Sequence, residues 1–241
     1  MAVVAGVISQ VFGSATYLIW IGLFLGLPIL VLAVIGGKIW WRERRALAWT
    51  LLGSAGGGWA WDYSAIQLGF WSFNGIHQTG IVFLGLPLEE WLWILGVTFL
   101  FAGLTLILRP GAPNPTGVDR PAYEQPLPLA PALVLTPFSQ FGMLLAAGVV
   151  FHSILWARNA DFLRRELRTI LRVVIFAILW LLATDPIGAA WGAWTYDPTK
   201  VVGIWLFGLI PIEDVFGVVV VSSAAAAAVL VFAYSPRRWI W

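Results

Sequence analysis

The 241-residue sequence contains no cysteine, only two histidines and two methionines, and just 11% charged residues. Without cysteine it can form no disulfide, ligate no iron–sulfur cluster and offer no thiol nucleophile, and its redox compartment is left open. So little charge falls well below the ~25% of an ordinary soluble domain. Fourteen basic and twelve acidic residues leave a net charge of +2, too balanced to describe a nucleic-acid-binding surface. Met1 to Gly13 has no basic stretch of the kind that opens a cleaved signal peptide. With no P-loop and no G-x-G-x-x-G after a strand, no nucleotide or dinucleotide cofactor is expected. His77 and His152 are isolated from each other, so no metal centre is expected, and each reads as a solvated interfacial residue.

What is abundant is apolar surface. Hydrophobic residues make up 60% of the chain, sixteen of them Trp, and the mean hydropathy is +0.87. No water-soluble globule could bury that much. Runs long enough to cross a bilayer, about 20 residues each, fall at 15–36, 46–69, 81–108, 133–157, 169–192 and 201–234. They lack the period-2 alternation of barrel strands and alternate with basic clusters such as Arg42–Arg45 and Arg164–Arg168. The expected fold is an all-α polytopic bundle in the cell membrane with six spans, or seven if the middle of the chain also crosses. A Pro-rich stretch, 109–128, reads as a linker with little regular structure. It separates a first three-helix unit, 1–108, from a second, 129–241.

The two units resemble each other. The first reads Trp61–Asp62, then G-F-W-S-F-N from Gly69, then G-L-P-L-E-E to Glu90. The second reads Thr184–Asp185, then G-A-W-T-Y-D from Gly192, then L-I-P-I-E-D to Asp214. Asp to Trp spans nine positions in both, and Trp to Pro sixteen or seventeen, which predicts a tandem duplication offset by 123 to 124 residues. Three spans per half would invert the second half against the first. Six spans then divide the Lys and Arg residues seven against seven, so the positive-inside rule selects no orientation. A seventh crossing would instead make the halves parallel and gather nearly all the basic residues on one face.

Six of the twelve acids, Asp62, Glu89, Glu90, Asp185, Glu213 and Asp214, lie in apolar sequence away from any Lys or Arg. Intramembrane carboxyls cost several kcal/mol unless paired, neutralised or wetted, and so mark function; the plain alternative is an interfacial residue at a helix end. Pro87 and Pro211 should open helices, since the first turn has no use for the missing N–H, and this places both Glu/Asp pairs in first turns. There the helix dipole favours the carboxylate by about 0.3–1 kcal/mol, whereas burial favours the neutral acid and should win inside the bundle. Around the acids stand Trp61, Trp71, Phe73, Trp91, Trp194 and Tyr196. Most such rings would form an interfacial belt; those facing a pocket could stabilise a cation.

The W-D of Trp61–Asp62, the W-x-F-N of Trp71 to Asn74 and the L-P-L-E-E-W of Leu86 to Trp91 give the chain its resemblance. With Asp185, W-x-Y at Trp194 to Tyr196 and P-I-E-D at Pro211 to Asp214, it resembles the membrane-integral lycopene cyclases of heterodimeric bacterial and fused archaeal and fungal type. The resemblance covers roughly 55–108 and 180–234. It implies two fused small subunits that cyclise the linear ψ-ends of lycopene, with Glu89, Glu90, Glu213 and Asp214 as essential acids and membrane lipid as surroundings. Asp197 stands where the first half has Asn74, and Thr184 where it has Trp61, which leaves the catalytic equivalence of the halves open.

The chemistry expected of such an enzyme is redox-neutral. An acid protonates the terminal double bond, the next double bond attacks the tertiary cation, and a base removes a ring proton. One carboxyl of each motif would donate while its neighbour, or Asp62 or Asp185, accepts. Trp61, Trp71, Phe73, Asn74, Trp91, Trp194 and Tyr196 would contact the substrate. A three-span half is too small to enclose a carotenoid end group, so one cavity shared by both halves is expected. The competing classes are an inverted-repeat transporter, which should want intramembrane cations that this chain lacks, and a non-catalytic carotenoid- or lipid-binding subunit.

Overall fold

A computed structural model describes residues 12–109 and 140–235. The expectations for the first eleven residues, for the linker beyond Arg109 and for Arg120, Arg237 and Arg238 lie outside the described residues.

The described chain is mostly helical. Gly13–Arg42 (α1) is one continuous helix with a π-turn over Gly22–Gly26. It is followed by Arg44–Gln67 (α2), Leu88–Leu108 (α3), Gln140–Trp156 (α4), Ala160–Ala190 (α5) and Ile212–Tyr234 (α6). Four of these, α1, α3, α5 and α6, are long and apolar enough to cross a membrane by themselves. The shorter α4 is mostly apolar and carries no Asp, Glu, Lys or Arg, whereas α2 carries Arg44, Arg45, Asp62 and several glycines.

Helix boundaries depart from the apolar runs for identifiable reasons. The run 81–108 becomes helical only at Leu88, and 201–234 only at Ile212. Pro87 and Pro211 sit at N-cap positions with extended ψ of 149° and 154°, and a proline also pushes the residue before it out of helical geometry. The residues ahead of them fold into short hairpins instead: Val82–Phe83 (β2) with Leu86–Pro87 (β3), and Trp205–Leu206 (β5) with Ile210–Pro211 (β6). Both hairpins turn through a residue with left-handed φ, Leu84 and Phe207. In the other direction, α5 starts at Ala160 rather than 169. Its first turns are amphipathic, with Phe162 and Leu163 buried while the arginines of Arg164–Arg168 point outward.

α3 and α6 form the centre of the bundle, packed on each other, with α1 and α2 against α3, α4 and α5 against α6, and α2 also on α6. Tryptophan indoles fasten the helices by donating to backbone carbonyls. Pro28 has no N–H to offer the carbonyl of Phe24, four residues back, and the Trp180 indole of α5 donates to that oxygen at 2.9 Å. Trp20 of α1 returns the bond to the carbonyl of Thr184 at 3.0 Å, and Trp40 donates to Gly103 of α3 at 3.0 Å. These three rings are buried staples between helices. His152, too, is no solvated residue: it bridges Gly148 O and Ser223 Oγ, both at 2.8 Å, tying α4 to α6.

The loops 68–87 and 191–211 lie together at one end. Trp71–Ser72 (β1) pairs antiparallel with Thr195–Tyr196 (β4), so that Ser72 stands opposite Thr195, 123 residues on. Lys200 crosses between the loops to the carbonyl of Leu68 at 2.6 Å. From this end α3 and α6 run in the same direction. At the far end Arg109, just after α3, lies over the ring of Tyr234 in the last turn of α6, 3.8 Å from its centroid, and donates to Glu166 of α5 at 2.8 Å. Gln140, which opens α4, is back at the loop end, where its N–H donates to Lys200 O.

Candidate active site

Successive residues on a helix point about 100° apart, and this separates the two acids of each first-turn pair. Glu89 turns back into its own loop and accepts the Thr79 N–H at 2.7 Å. Glu213 does the same for the Val202 N–H in the second loop. Both are fully buried, and each leaves its Oε2 without a hydrogen-bond partner.

Their neighbours Glu90 and Asp214 face inward. The Tyr17 hydroxyl, from α1, donates to Glu90 Oε1 at 2.8 Å. The Tyr196 hydroxyl donates to Asp214, as does the Gln140 amide at 3.5 Å. Trp194 in turn donates its indole N–H to the Tyr196 oxygen at 2.8 Å. Removal from water and the adjacent Asp214 carboxyl push the Tyr196 phenol well above its ordinary range, so it remains a donor. Asp62 of α2 and Asp185 of α5 complete the arrangement, both buried, and Asp62 Oδ2 has no hydrogen-bond partner.

These groups line a single cavity of about 400 Å³ that draws on both halves of the chain. Asp62, Glu90, Asp185 and Asp214 all reach it, together with Glu213, and among the described residues its lining contains no Lys or Arg. Around the acids the rings are closely nested: Tyr17 stacks on Phe73 at 6.0 Å and lies 5.3 Å from Trp194, and Trp20 meets Trp194 edge-on at 5.1 Å. Gly188 is what admits the Trp194 ring, because a Cβ there would collide with it. Among the described residues no group of three His, Cys, Asp or Glu could hold a metal ion.

Of the residues predicted from sequence, Trp61, Trp71, Phe73, Trp194 and Tyr196 line this cavity. Three are elsewhere. Glu89 is a loop tether, as above. Asn74 is exposed and caps the Gly75–His77 turn, accepting the Ile76 N–H at 3.3 Å. Trp91 packs on the first hairpin and donates to Phe83 O at 2.9 Å. A W-x-F-N or E-E-W string marks a neighbourhood, but the turn and the helix periodicity decide which side chains enter the pocket. Tyr17 and Gln140 were missed, both in first helices where the motifs are silent. Their separation equals that of Ser72 and Thr195, so the repeat register carried back to the first helix of each half would have paired them.

The family model for lycopene cyclase matches residues 14–108 and 137–234. Curated lycopene beta-cyclases from two strains of Halobacterium salinarum are each 27% identical over 238 residues, covering 94% of this chain and 99% of the relative. No solved structure matches. With both acid-bearing halves inside the matched residues, the chain belongs to the lycopene cyclase family.

Proposed function

We propose that this protein closes β-ionone rings on the ψ-ends of lycopene by acid-initiated, redox-neutral cyclisation. The observation that carries this reading is one apolar, ring-lined cavity reached by five carboxyls and, among the described residues, by no basic residue. A carboxylic acid adds its proton to the terminal double bond; the next double bond supplies the electron pair for the new ring bond; a carboxylate removes the ring proton. The product is an isomer of the substrate, and one proton has moved from one carboxyl to another.

Hydrogen bonding suggests who does what. A carboxyl that accepts a phenol O–H is better held as the anion, and Glu90 and Asp214 both do so. A buried carboxyl with an oxygen lacking a partner and no cation beside it is costly as an anion, which suits Asp62 to the proton donor's role. Asp185 is the corresponding candidate in the second half, and Glu89 and Glu213 hold the loops over the site. The cavity excludes water from a cation that water would quench, and the Tyr17, Phe73 and Trp194 faces supply electron density to it. The transporter reading finds no counter-charge in the cavity among the described residues.

We also infer a parallel arrangement of the halves, with Arg109 and Gln140 toward opposite ends of the bundle. The pairing of Ser72 with Thr195 and the opposite placement of Arg109 and Gln140 support it. Lys38, Arg42, Arg44, Arg45, Arg109, Arg158 and the arginines of α5 then lie toward one face, with Lys200 at the other, so the loop end faces away from the cytoplasm.

Expression in a bacterial host that accumulates lycopene tests the reading. Cyclic carotenoids are expected in place of lycopene; unchanged lycopene alongside well-inserted protein would leave the binding-subunit reading instead.

A further inference from the structure

The cavity is far longer than a cyclising end group requires. On α6 its lining continues from Asp214 to Phe232, eighteen residues, or about 27 Å at 1.5 Å per residue. That is nearly the ~30 Å hydrocarbon thickness of a bilayer. Small residues, Gly53 and Gly57 on α2 and Ala224 and Ala228 on α6, leave the room for this shaft. Gly57 is needed there, since a Cβ would lie 2.6 Å from the Phe151 ring of α4.

Polar groups along the shaft are tied off among themselves. Thr50 donates to Ala46 O at 2.9 Å, and Ser54 and Thr98 share a hydrogen bond of 2.6 Å. The unpartnered buried oxygen of Asp62 is at the loop end, with the acids. At the rim, Trp49 and Ile154 are 48% and 68% exposed, so the groove opens sideways between α2 and α4, toward lipid.

We propose that this shaft is the binding channel for the substrate's polyene. Resting on the cyclase reading above, it takes a linear carotenoid from the bilayer between α2 and α4. One ψ-end lies at the acids, and the remaining chain extends along α6 toward the arginine-rich end. The two ends of lycopene are therefore cyclised in separate binding events, and the residues far from the acids set which chain lengths are accepted. A rigid rod without hydrogen-bonding groups matches a long, apolar, internally satisfied groove.

The test is Ala228→Phe, which fills the shaft far from the acids. The purified variant and its parent are each given lycopene and a half-length apocarotenoid bearing the same ψ-end. The channel predicts that Ala228→Phe loses about tenfold or more on lycopene, as overpacking of a close-fitting site should cost, while the short substrate is cyclised as by the parent. Retained activity on the short substrate also shows that the variant folds. Equal loss on both substrates, or equal retention on both, overturns the channel. A parent protein that cyclises neither substrate defeats the cyclase reading itself, and co-purification of lycopene with the parent but not with Ala228→Phe would then still support the channel.

Discussion

Glu89 and Glu90 are adjacent in sequence and chemically identical, yet they have different surroundings. Glu90 meets a phenol and the cavity, Glu89 a backbone N–H of the loop. A glutamine at position 89 still presents a carbonyl oxygen to Thr79 and keeps the tether, whereas a glutamine at 90 can neither release nor take up a proton. Glu90→Gln is expected to lose about 100-fold or more of turnover, the usual worth of positioned acid–base groups, while Glu89→Gln stays within about tenfold of the parent. Initial rates of purified, equally folded variants on lycopene check this, and equal losses would show that Glu89 also handles protons.

The loops are elements in their own right, and their geometry is locked by local hydrogen bonding. Asp197 accepts from the Thr199 hydroxyl at 2.6 Å and the Thr199 N–H at 2.9 Å, with Lys200 3.4 Å away. The Thr199 bonds, side chain before backbone, and then Lys200 hold its carboxyl below the usual carboxylate range. A folded-state value depressed in this way stabilises the loop above the unfolded value near ~3.9. That contribution is lost as pH falls through the lower folded value. Asp197→Asn should therefore lower the melting temperature of detergent-solubilised protein at neutral pH, and the gap from the parent should close below about pH 4. A gap independent of pH would show that the carboxyl charge plays no part. Because Lys200 also reaches the first half's loop, the same substitution should loosen the contact between the two loops.

For the whole molecule, the two halves share one cavity and place their loops side by side. The absence of native cysteine makes the orientation directly measurable. Single replacements Ile76→Cys and Val202→Cys, both at exposed loop positions, should react with a membrane-impermeant maleimide added outside intact cells. Trp41→Cys, at the arginine-rich end and 72% exposed, should react only after the membrane is opened. Labelling of Ile76→Cys and Val202→Cys from opposite sides would restore the inverted, six-span arrangement.

Much of this protein was legible as a string of residues. Apolar run length alone dictates helices in lipid, because every backbone polar group must be satisfied within its own segment. The duplicated Asp, Trp and P-x-E-[ED] pattern marked the acid neighbourhood and five of its rings. The tertiary structure decided what periodicity and motif could not. The relative direction of the halves depends on which loop meets which, a contact between residues 123 apart. Tyr17 and Gln140 become partners of the acids only when the first helix of each half packs against the third. The division of labour within each acid pair follows from a 100° turn of the helix and the loop that happens to cover one side of it. Composition can state that carboxyls lie in the membrane; only packing determines which of them face a substrate.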